Sequence, residues 1–119
     1  MTTENIISGI AIADLAPYRF GKITSTGIGF GTSTVSDDSI SIDADGVIIN
    51  SRAIYTAGMY VDLKVNGVQK VEIKEGESIA PGDYVIPSTD GSGKAVKSPI
   101  KAGFKVASVE GNYCTIILR

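Results

Sequence analysis

Residues 60–74 read Tyr-Val-Asp-Leu-Lys-Val-Asn-Gly-Val-Gln-Lys-Val-Glu-Ile-Lys, and this stretch decides the fold class. Apolar and polar side chains alternate along it, which is typical of half-buried β-strands. Turn residues follow at Pro81-Gly82-Asp83 and at Asp90-Gly91, each beside further apolar residues. The pattern therefore predicts a series of short strands joined by tight turns.

The Asn66-Gly67 pair predicts a hairpin between two of these strands. A two-residue turn there would place Leu63 opposite Lys70 and bring charge onto the apolar face. Moving the register by one residue brings Val71 and Ile73 onto that face instead. We therefore expect either a three-residue loop, Val65-Asn66-Gly67, with Gly67 in the left-handed region, or a bulge just after a tighter turn.

Composition supports an all-β chain with many turns. Ile and Val together number 27 against three Leu, and the chain contains 14 Gly. Branching at Cβ suits a pleated surface better than a helix. At 119 residues the chain fits one domain, residues 1–119, in which a second core would be hard to build. No internal sequence repeat is evident.

Charge, cysteine content and hydropathy limit the classes of partner. The net charge is −2, so we expect no binding to nucleic acid and no attraction to an anionic membrane. The lone cysteine, Cys114, excludes an internal disulfide and is expected to be a buried, inert thiol. No apolar run reaches the length of a membrane span and no signal-type core begins the chain, so synthesis in the cytoplasm is expected.

Several segments of the first half of the chain carry local signals. Residues 1–5 are polar and are expected to form a flexible arm, followed by a strand over residues 6–12. Residues 24–39 are rich in Gly, Ser and Thr, which predicts a loop or an arm that orders on a partner. Asp45-Gly46 predicts a hairpin turn, and residues 51–58 form the one window that would suit a helical turn.

The C-terminal residues predict a second hairpin, with strands over 104–109 and 112–119 and a turn at Glu110-Gly111. Residues 116–118 are apolar without alternation, so both faces of that strand need cover. Either the sheet closes into a barrel or sandwich, or one face meets another subunit.

The chain shows no convincing catalytic, cofactor or metal site. The Gly27-x-Gly29-x-Gly31 run lacks the helix that a phosphate-binding loop needs, and the absence of His excludes Ser-His and Cys-His catalysis. An EF-type calcium loop at Asp43-Ala44-Asp45-Gly46 would need a Glu where Arg52 stands. A carboxylate enzyme would require Asp37, Asp38, Asp43 and Asp45 to cluster in a pocket, and we expect no enzyme.

Residues 58–119 resemble the small capsid decoration, or cement, proteins of phages. The resemblance lies in residues 60–68, in Ile79-Ala80-Pro81-Gly82-Asp83-Tyr84-Val85, in residues 90–96 and in the closing residues 103–107 and 115–118. It implies a compact β-barrel or β-tulip domain on the outside of an icosahedral head, often trimeric, with an N-terminal segment that reaches across the lattice. Residues 24–50 match no pattern of that family.

The resulting expectation is a non-enzymatic virion protein that binds the major capsid protein on the capsid exterior and stabilises the shell. No cofactor is expected. The candidate contacts with capsid or sister subunits are apolar side chains of the terminal strands and of the Gly/Ser/Thr segment: Ile6, Ile7, Ile28, Phe30, Ile116 and Leu118.

The alternative expectation is a receptor- or glycan-binding module of a head fibre or tail appendage. Five tyrosines could supply stacking platforms for a ligand. They are Tyr18, Tyr55, Tyr60, Tyr84 and Tyr113. Two or more of them exposed in one concave site would favour this alternative, and scattered or buried tyrosines would count against it.

Overall fold

The computed structural model describes residues 6–37, 39–49 and 54–118, and within them all regular secondary structure is β-strand. Among these residues no helix is long and apolar enough to cross a membrane. They form twelve strands: β1 Ile6–Ile10, β2 Phe20–Thr24, β3 Gly27–Phe30, β4 Thr32–Val35, β5 Ile40–Asp43, β6 Gly46–Ile48, β7 Tyr60–Lys64, β8 Gly67–Glu72, β9 Tyr84–Pro87, β10 Ala95–Lys97, β11 Phe104–Glu110 and β12 Tyr113–Leu118. The prediction of a small all-β domain is confirmed.

Ten of these strands form two five-stranded sheets. The first has the order β1-β7-β6-β2-β3 and the second the order β10-β9-β11-β12-β8, while β4 and β5 form a separate hairpin. Each sheet curls until its outer strands meet. The amide of Ile12 donates to the carbonyl of Ile28 (3.0 Å), and that of Lys74 donates to the carbonyl of Ala95 (2.9 Å). Both sheets thus close into small barrels.

Each barrel has its own buried cluster of side chains. The first cluster contains Leu15, Ile28, Ile48, Tyr55, Val61 and Leu63, with Ala11. The second contains residues of β8 to β12 and two residues that come from the first sheet, Phe20 and Val47. The expectation that 119 residues would hold a single core is therefore wrong. The second core is completed from outside by the first sheet, which makes the two barrels one domain.

The two barrels have the same strand connections. In chain order, the first sheet uses β1, β2, β3, β6 and β7, and the second uses β8 to β12. In each, the first strand meets the third in parallel and pairs with the fifth, and the second strand pairs with the third and the fourth. We call residues 6–64 the first half and residues 67–118 the second half. The chain therefore contains a structural repeat.

The repeat extends to the hydrogen bonds of the turn before the second strand. In the first half, the amide of Tyr18 donates to the carbonyl of Ile48 (2.8 Å), whose own amide donates to Arg19 O (2.8 Å). In the second half, Gly82 donates to Val106 O (2.9 Å), and the Val106 amide donates to Asp83 O (2.9 Å). Tyr18 and Gly82 both have positive φ, 63° and 92°. The two turns are equivalent, and tyrosine occupies a conformation that favours glycine.

A second pair of turns shows the same equivalence. Ala11 donates to the carbonyl of Met59 (2.8 Å), and Ile73 donates to the carbonyl of Asn112 (2.7 Å). The sequence retains short traces of the repeat. They are Ala16-Pro17 beside Ala80-Pro81, and Gly58-Met59-Tyr60 beside Gly111-Asn112-Tyr113. These traces are too short to reveal the repeat without the structure.

The β4–β5 hairpin has no counterpart in the second half, where residues 99–102 occupy the equivalent place. It lies against β9, where Thr32 Oγ1 donates to the carbonyl of Ser88 (3.3 Å) and Ser33 Oγ donates to that of Pro87. Residues 24–39, predicted as a loop or arm, therefore contribute the β2–β3 turn, β3 and β4. Their backbone pairing makes up for the small side chains.

Two predicted hairpins are wrong for the same reason. The strands on either side of Asn66-Gly67 belong to different sheets, because β7 pairs with β1 and β6 whereas β8 pairs with β12. Likewise β5 pairs with β4, and β6 pairs with β2 and β7, so Asp45-Gly46 joins two sheets. Gly67 does have positive φ, 94°. At both places the chain passes from one sheet to another, whereas the turn residues predicted that the next strand would pair with the one before it.

The other local predictions have mixed outcomes. The C-terminal hairpin is confirmed as β11 and β12, and its register shifts between Val106 and Ser108. The strand expected over residues 6–12 is β1, which ends at Ile10. Residues 54–58 form no helix, while residues 51–53 and the arm at 1–5 lie outside the described residues.

The turn between β9 and β10 contains a carboxylate with a perturbed pKa. Hydrogen bonds from Ser92, and further ones from Ser88 and Lys74, hold the pKa of Asp90 well below its ordinary value of 3.8. The Ser92 amide lies 2.9 Å from Asp90 Oδ1. Because the folded pKa is depressed, the charged form stabilises the folded state above the unfolded pKa. That contribution is lost as the pH falls from the unfolded pKa through the folded pKa.

We therefore expect the melting temperature of the wild type to fall between pH 4 and pH 2 more steeply than that of Asp90→Asn. The asparagine oxygen still accepts the Ser92 amide but carries no charge to titrate. The difference should be modest, because the side chain is exposed. Parallel melting curves of the two proteins across that interval would contradict the assignment.

Candidate interaction surfaces

A cluster of charged side chains lies where the first half meets the second. Arg19 Nε lies 3.2 Å from Glu72 Oε1, and Arg19 Nη1 donates to the carbonyl of Ser92 (3.0 Å). Lys94 Nζ adds contacts with Glu72 (3.5 Å) and Glu75 (2.9 Å). The hydrogen bond with Glu75 and the nearby carboxylates raise the pKa of Lys94, and the same bond lowers the pKa of Glu75. The contacts of Arg19 cross between the halves, and Lys94 pairs with Glu72 and Glu75 inside the second half.

Two of the five tyrosines meet at the same place. The rings of Tyr18 and Tyr113 pack edge to face with centroids 5.3 Å apart, and Lys70 Nζ lies 5.4 Å from the Tyr113 ring. Tyr55 is buried, and its hydroxyl donates to the carbonyl of Ile49 (2.8 Å). Tyr60 lies exposed on β7 and Tyr84 half-buried on β9. The described tyrosines do not form one concave stacking site.

Two of the four carboxylates that an enzyme would need have separate partners. Asp43 accepts from Lys22 Nζ (3.1 Å), Asp45 accepts from the Ile23 amide (2.8 Å), and Asp37 is exposed. Asp38 lies outside the described residues. Within the described ranges no group of three or more Cys, Asp or Glu side chains is placed to hold a metal ion.

Cys114 is buried in the second core, as predicted. Burial raises the pKa of its thiol to about 11. At neutral pH it therefore remains protonated and is a weak nucleophile in the folded protein.

The six candidate contact residues fall into two groups. Ile6 and Ile7 lie exposed on β1, and Phe30 is partly buried with the guanidinium carbon of Arg19 5.7 Å from its ring centroid. Ile28, Ile116 and Leu118 are buried in the two cores. These three side chains stabilise the fold and present almost no surface to a partner. The run at residues 116–118 is covered by barrel closure on its inner face.

An exposed apolar surface lies on the outside of the first barrel, and we call it the β1 surface. It consists of Ile6, Ile10 and Ile12 and of Tyr60 on β7. The three isoleucines are an even number of positions apart and so lie on the same face. Tyr60 is directly opposite Ile10 in the register and is 73% exposed. Of these residues, only Ile6 is among the contact residues that the sequence predicts. The alternation from Ile6 to Ile12 was the signal for Ile10 and Ile12.

The second half carries a shallow depression of about 260 Å³ lined by Tyr84, Phe104, Lys105 and Ile117, with Gly103. Its walls combine apolar surface with one lysine side chain. Both the depression and the β1 surface are suited to contact with another protein surface.

Comparison with solved structures finds a protein of similar fold. No family model matches the chain. The fold is similar to that of the N base of the head fiber protein gp8.5 of bacteriophage phi29, with a TM-score of 0.52 and 19% sequence identity. The similarity covers 96% of this chain and 92% of that one. The chain thus shares, over nearly its whole length, the fold of a phage head fiber base.

Proposed function

We propose that this protein is a non-enzymatic structural protein of a phage virion that binds the exterior of the capsid shell through the major capsid protein and stabilises it. The observation that carries the proposal is the fold similarity to a phage head fiber base over almost the entire length of both chains. The resemblance of residues 58–119 to capsid decoration proteins supports the same placement.

The surfaces of the described residues agree with a binding role. The charged side chains at the junction of the halves pair with one another, and the β1 surface is apolar and exposed. Contacts of this kind need only modest affinity at each copy, since many copies on one shell act together. The trimer expected from the decoration proteins remains a prediction.

The experiment mixes the purified chain with shells of the phage that encodes it, prepared without this protein, both before and after expansion. Co-sedimentation with the shells measures binding, and release of DNA on heating measures stabilisation. We expect binding to expanded shells and a higher release temperature. Failure to sediment with either form of shell would contradict the proposal.

The second candidate is the base of a head fibre, and the name of the structural neighbour favours it. A fibre base would bind shells without changing the temperature of DNA release. A receptor- or glycan-binding module would bind host cells and leave the shells unbound. The arrangement of the tyrosines counts against that last role.

A further inference from the structure

The contact between the two halves is not symmetric. The turn Tyr18–Phe20 of the first half binds the second, with the Tyr18 carbonyl accepting from Glu72 N (2.7 Å) and the Phe20 amide donating to Gly93 O (2.7 Å). Among the described residues, the equivalent turn of the second half, Gly82–Tyr84, forms no backbone hydrogen bond with the first half. Two equivalent units joined in this way each retain one unused face.

The unused face of the first half includes most of the β1 surface. By the register of the repeat, Ile10 is the counterpart of Glu72 and Tyr60 that of Tyr113. Glu72 and Tyr113 contact Tyr18 and Arg19 within the chain, whereas Ile10 is 43% and Tyr60 73% exposed. In the second half this face is covered by the internal contact, and in the first half the equivalent face is exposed.

Ile23 provides an independent sign. Its counterpart is Pro87, which pairs with Ala95 as Ile23 pairs with Ile28. Pro87 is buried where the β4–β5 hairpin hydrogen bonds to its carbonyl, but Ile23 is 46% exposed. The position that is covered in the second half is therefore open in the first half.

The unused face of the second half is the complementary one. Tyr84 is the counterpart of Phe20, and it lies beside the depression that Phe104 and Ile117 also line. Ile100 is 42% exposed and lies in the segment of the second half that is equivalent to the β4–β5 hairpin of the first half. Tyr84 is thus an aromatic residue at the position that Phe20 occupies in the internal contact.

We propose that copies of this chain associate head to tail, with the Gly82–Tyr84 turn of one copy on the β1 surface of the next. The contact repeats the internal one between halves, so the occupant is a second copy of the same chain. Because each copy keeps one face of each kind, the association is heterologous and continues until it closes into a ring or is capped. This inference is independent of capsid binding.

The contact between copies differs chemically from the internal one. Arg19 and Glu72 form an ion pair inside the chain, but their counterparts are Asp83 and Ile10, and Asp83 pairs with Lys97 (3.6 Å). Lys105 replaces Val47 beside the aromatic residue. Association therefore rests on apolar burial with one lysine at the margin, and we expect it to depend on concentration.

The test uses the full chain and light scattering after size separation, at several concentrations. We expect the wild type to form oligomers, and Tyr60→Asp or Tyr84→Asp to raise the dissociation constant at least tenfold. Ile100→Asp provides a second change on the Tyr84 side. Val35→Asp, at an exposed apolar residue of the β4–β5 hairpin, is the matched control and should associate as the wild type does. Melting curves establish that each variant is folded.

Mixing the two blocked variants tests the geometry. Tyr60→Asp retains an intact Tyr84 face and Tyr84→Asp retains an intact β1 surface, so the mixture should give dimers of one copy of each and nothing larger. A wild type that is monomeric at all concentrations overturns the inference. So does a Tyr84→Asp variant that still associates, since that would mean contact between two β1 surfaces. Loss of shell binding by Tyr60→Asp with an unchanged mass would assign the surface to the capsid and overturn self-association alone.

Discussion

Replacing Phe20 with alanine should lower the free energy of unfolding by about 3–5 kcal/mol, as is usual for truncating a fully buried phenylalanine. Phe20 is fully buried, and its ring packs on Phe104 with centroids 5.1 Å apart. It belongs to the first sheet but closes the core of the second barrel. The change therefore leaves a cavity in the place where the two halves join.

The repeat supplies a matched control for Phe20→Ala. Tyr84 occupies the equivalent strand position in the second half, where it is only half-buried. Tyr84→Ala should cost about 1 kcal/mol or less, as for surface changes. Urea denaturation of the three proteins measures both effects. Equal losses for the two variants would show that Phe20 does not close the second core.

Replacing Gly46 with alanine should cost about 3 kcal/mol or more, beyond the usual range for overpacking. A Cβ at this position would lie 2.2 Å from the carbonyl oxygen of Lys64 on β7, and a backbone atom cannot rotate away. The closely packed strands β6 and β7 would have to separate. The pairing of Val47 with Lys64 would be lost with them.

Gly58→Ala is the control for Gly46→Ala. Gly58 has φ of 95° and open space around the site of a Cβ, so alanine there costs backbone strain of roughly 1–2 kcal/mol and no clash. Chemical denaturation should rank Gly46→Ala as the more harmful of the two. The reverse order would mean that conformation, and not the close approach of β7, explains the glycine at position 46.

The sequence predicts the class of the fold and its local strands, because alternation and turn residues act over a few positions. It does not predict which sheet each strand joins. At Asn66-Gly67 the sequence itself argued against a two-residue hairpin, because that register sets Leu63 opposite Lys70. The structure shows that no register was right, because the strands do not pair.

The candidate contact residues illustrate the same limit. An isoleucine in an apolar strand has the same local pattern whether it points into a barrel, as Ile116 does, or away from one, as Ile10 does. Closure of the barrel decides between the two, and closure depends on contacts distant in sequence, such as Ile12 with Ile28 and Lys74 with Ala95. Composition predicts a loop over residues 24–39, yet β3 and β4 lie in this range because backbone pairing stabilises them. Composition carries little information about backbone pairing.

The pairing of the first strand of each half with its last has a consequence for the kinetics of folding. Ile7 must find Leu63, and Gly67 must find Leu118, so much of the native pairing is remote in sequence. Topologies of this kind fold on the scale of milliseconds to seconds. During synthesis, at roughly 5–20 residues per second, the first barrel becomes complete when β7 emerges, before most of the second has been made. It would then present Phe20 as a preformed surface on which the later strands assemble, so that the order of folding follows the direction of translation.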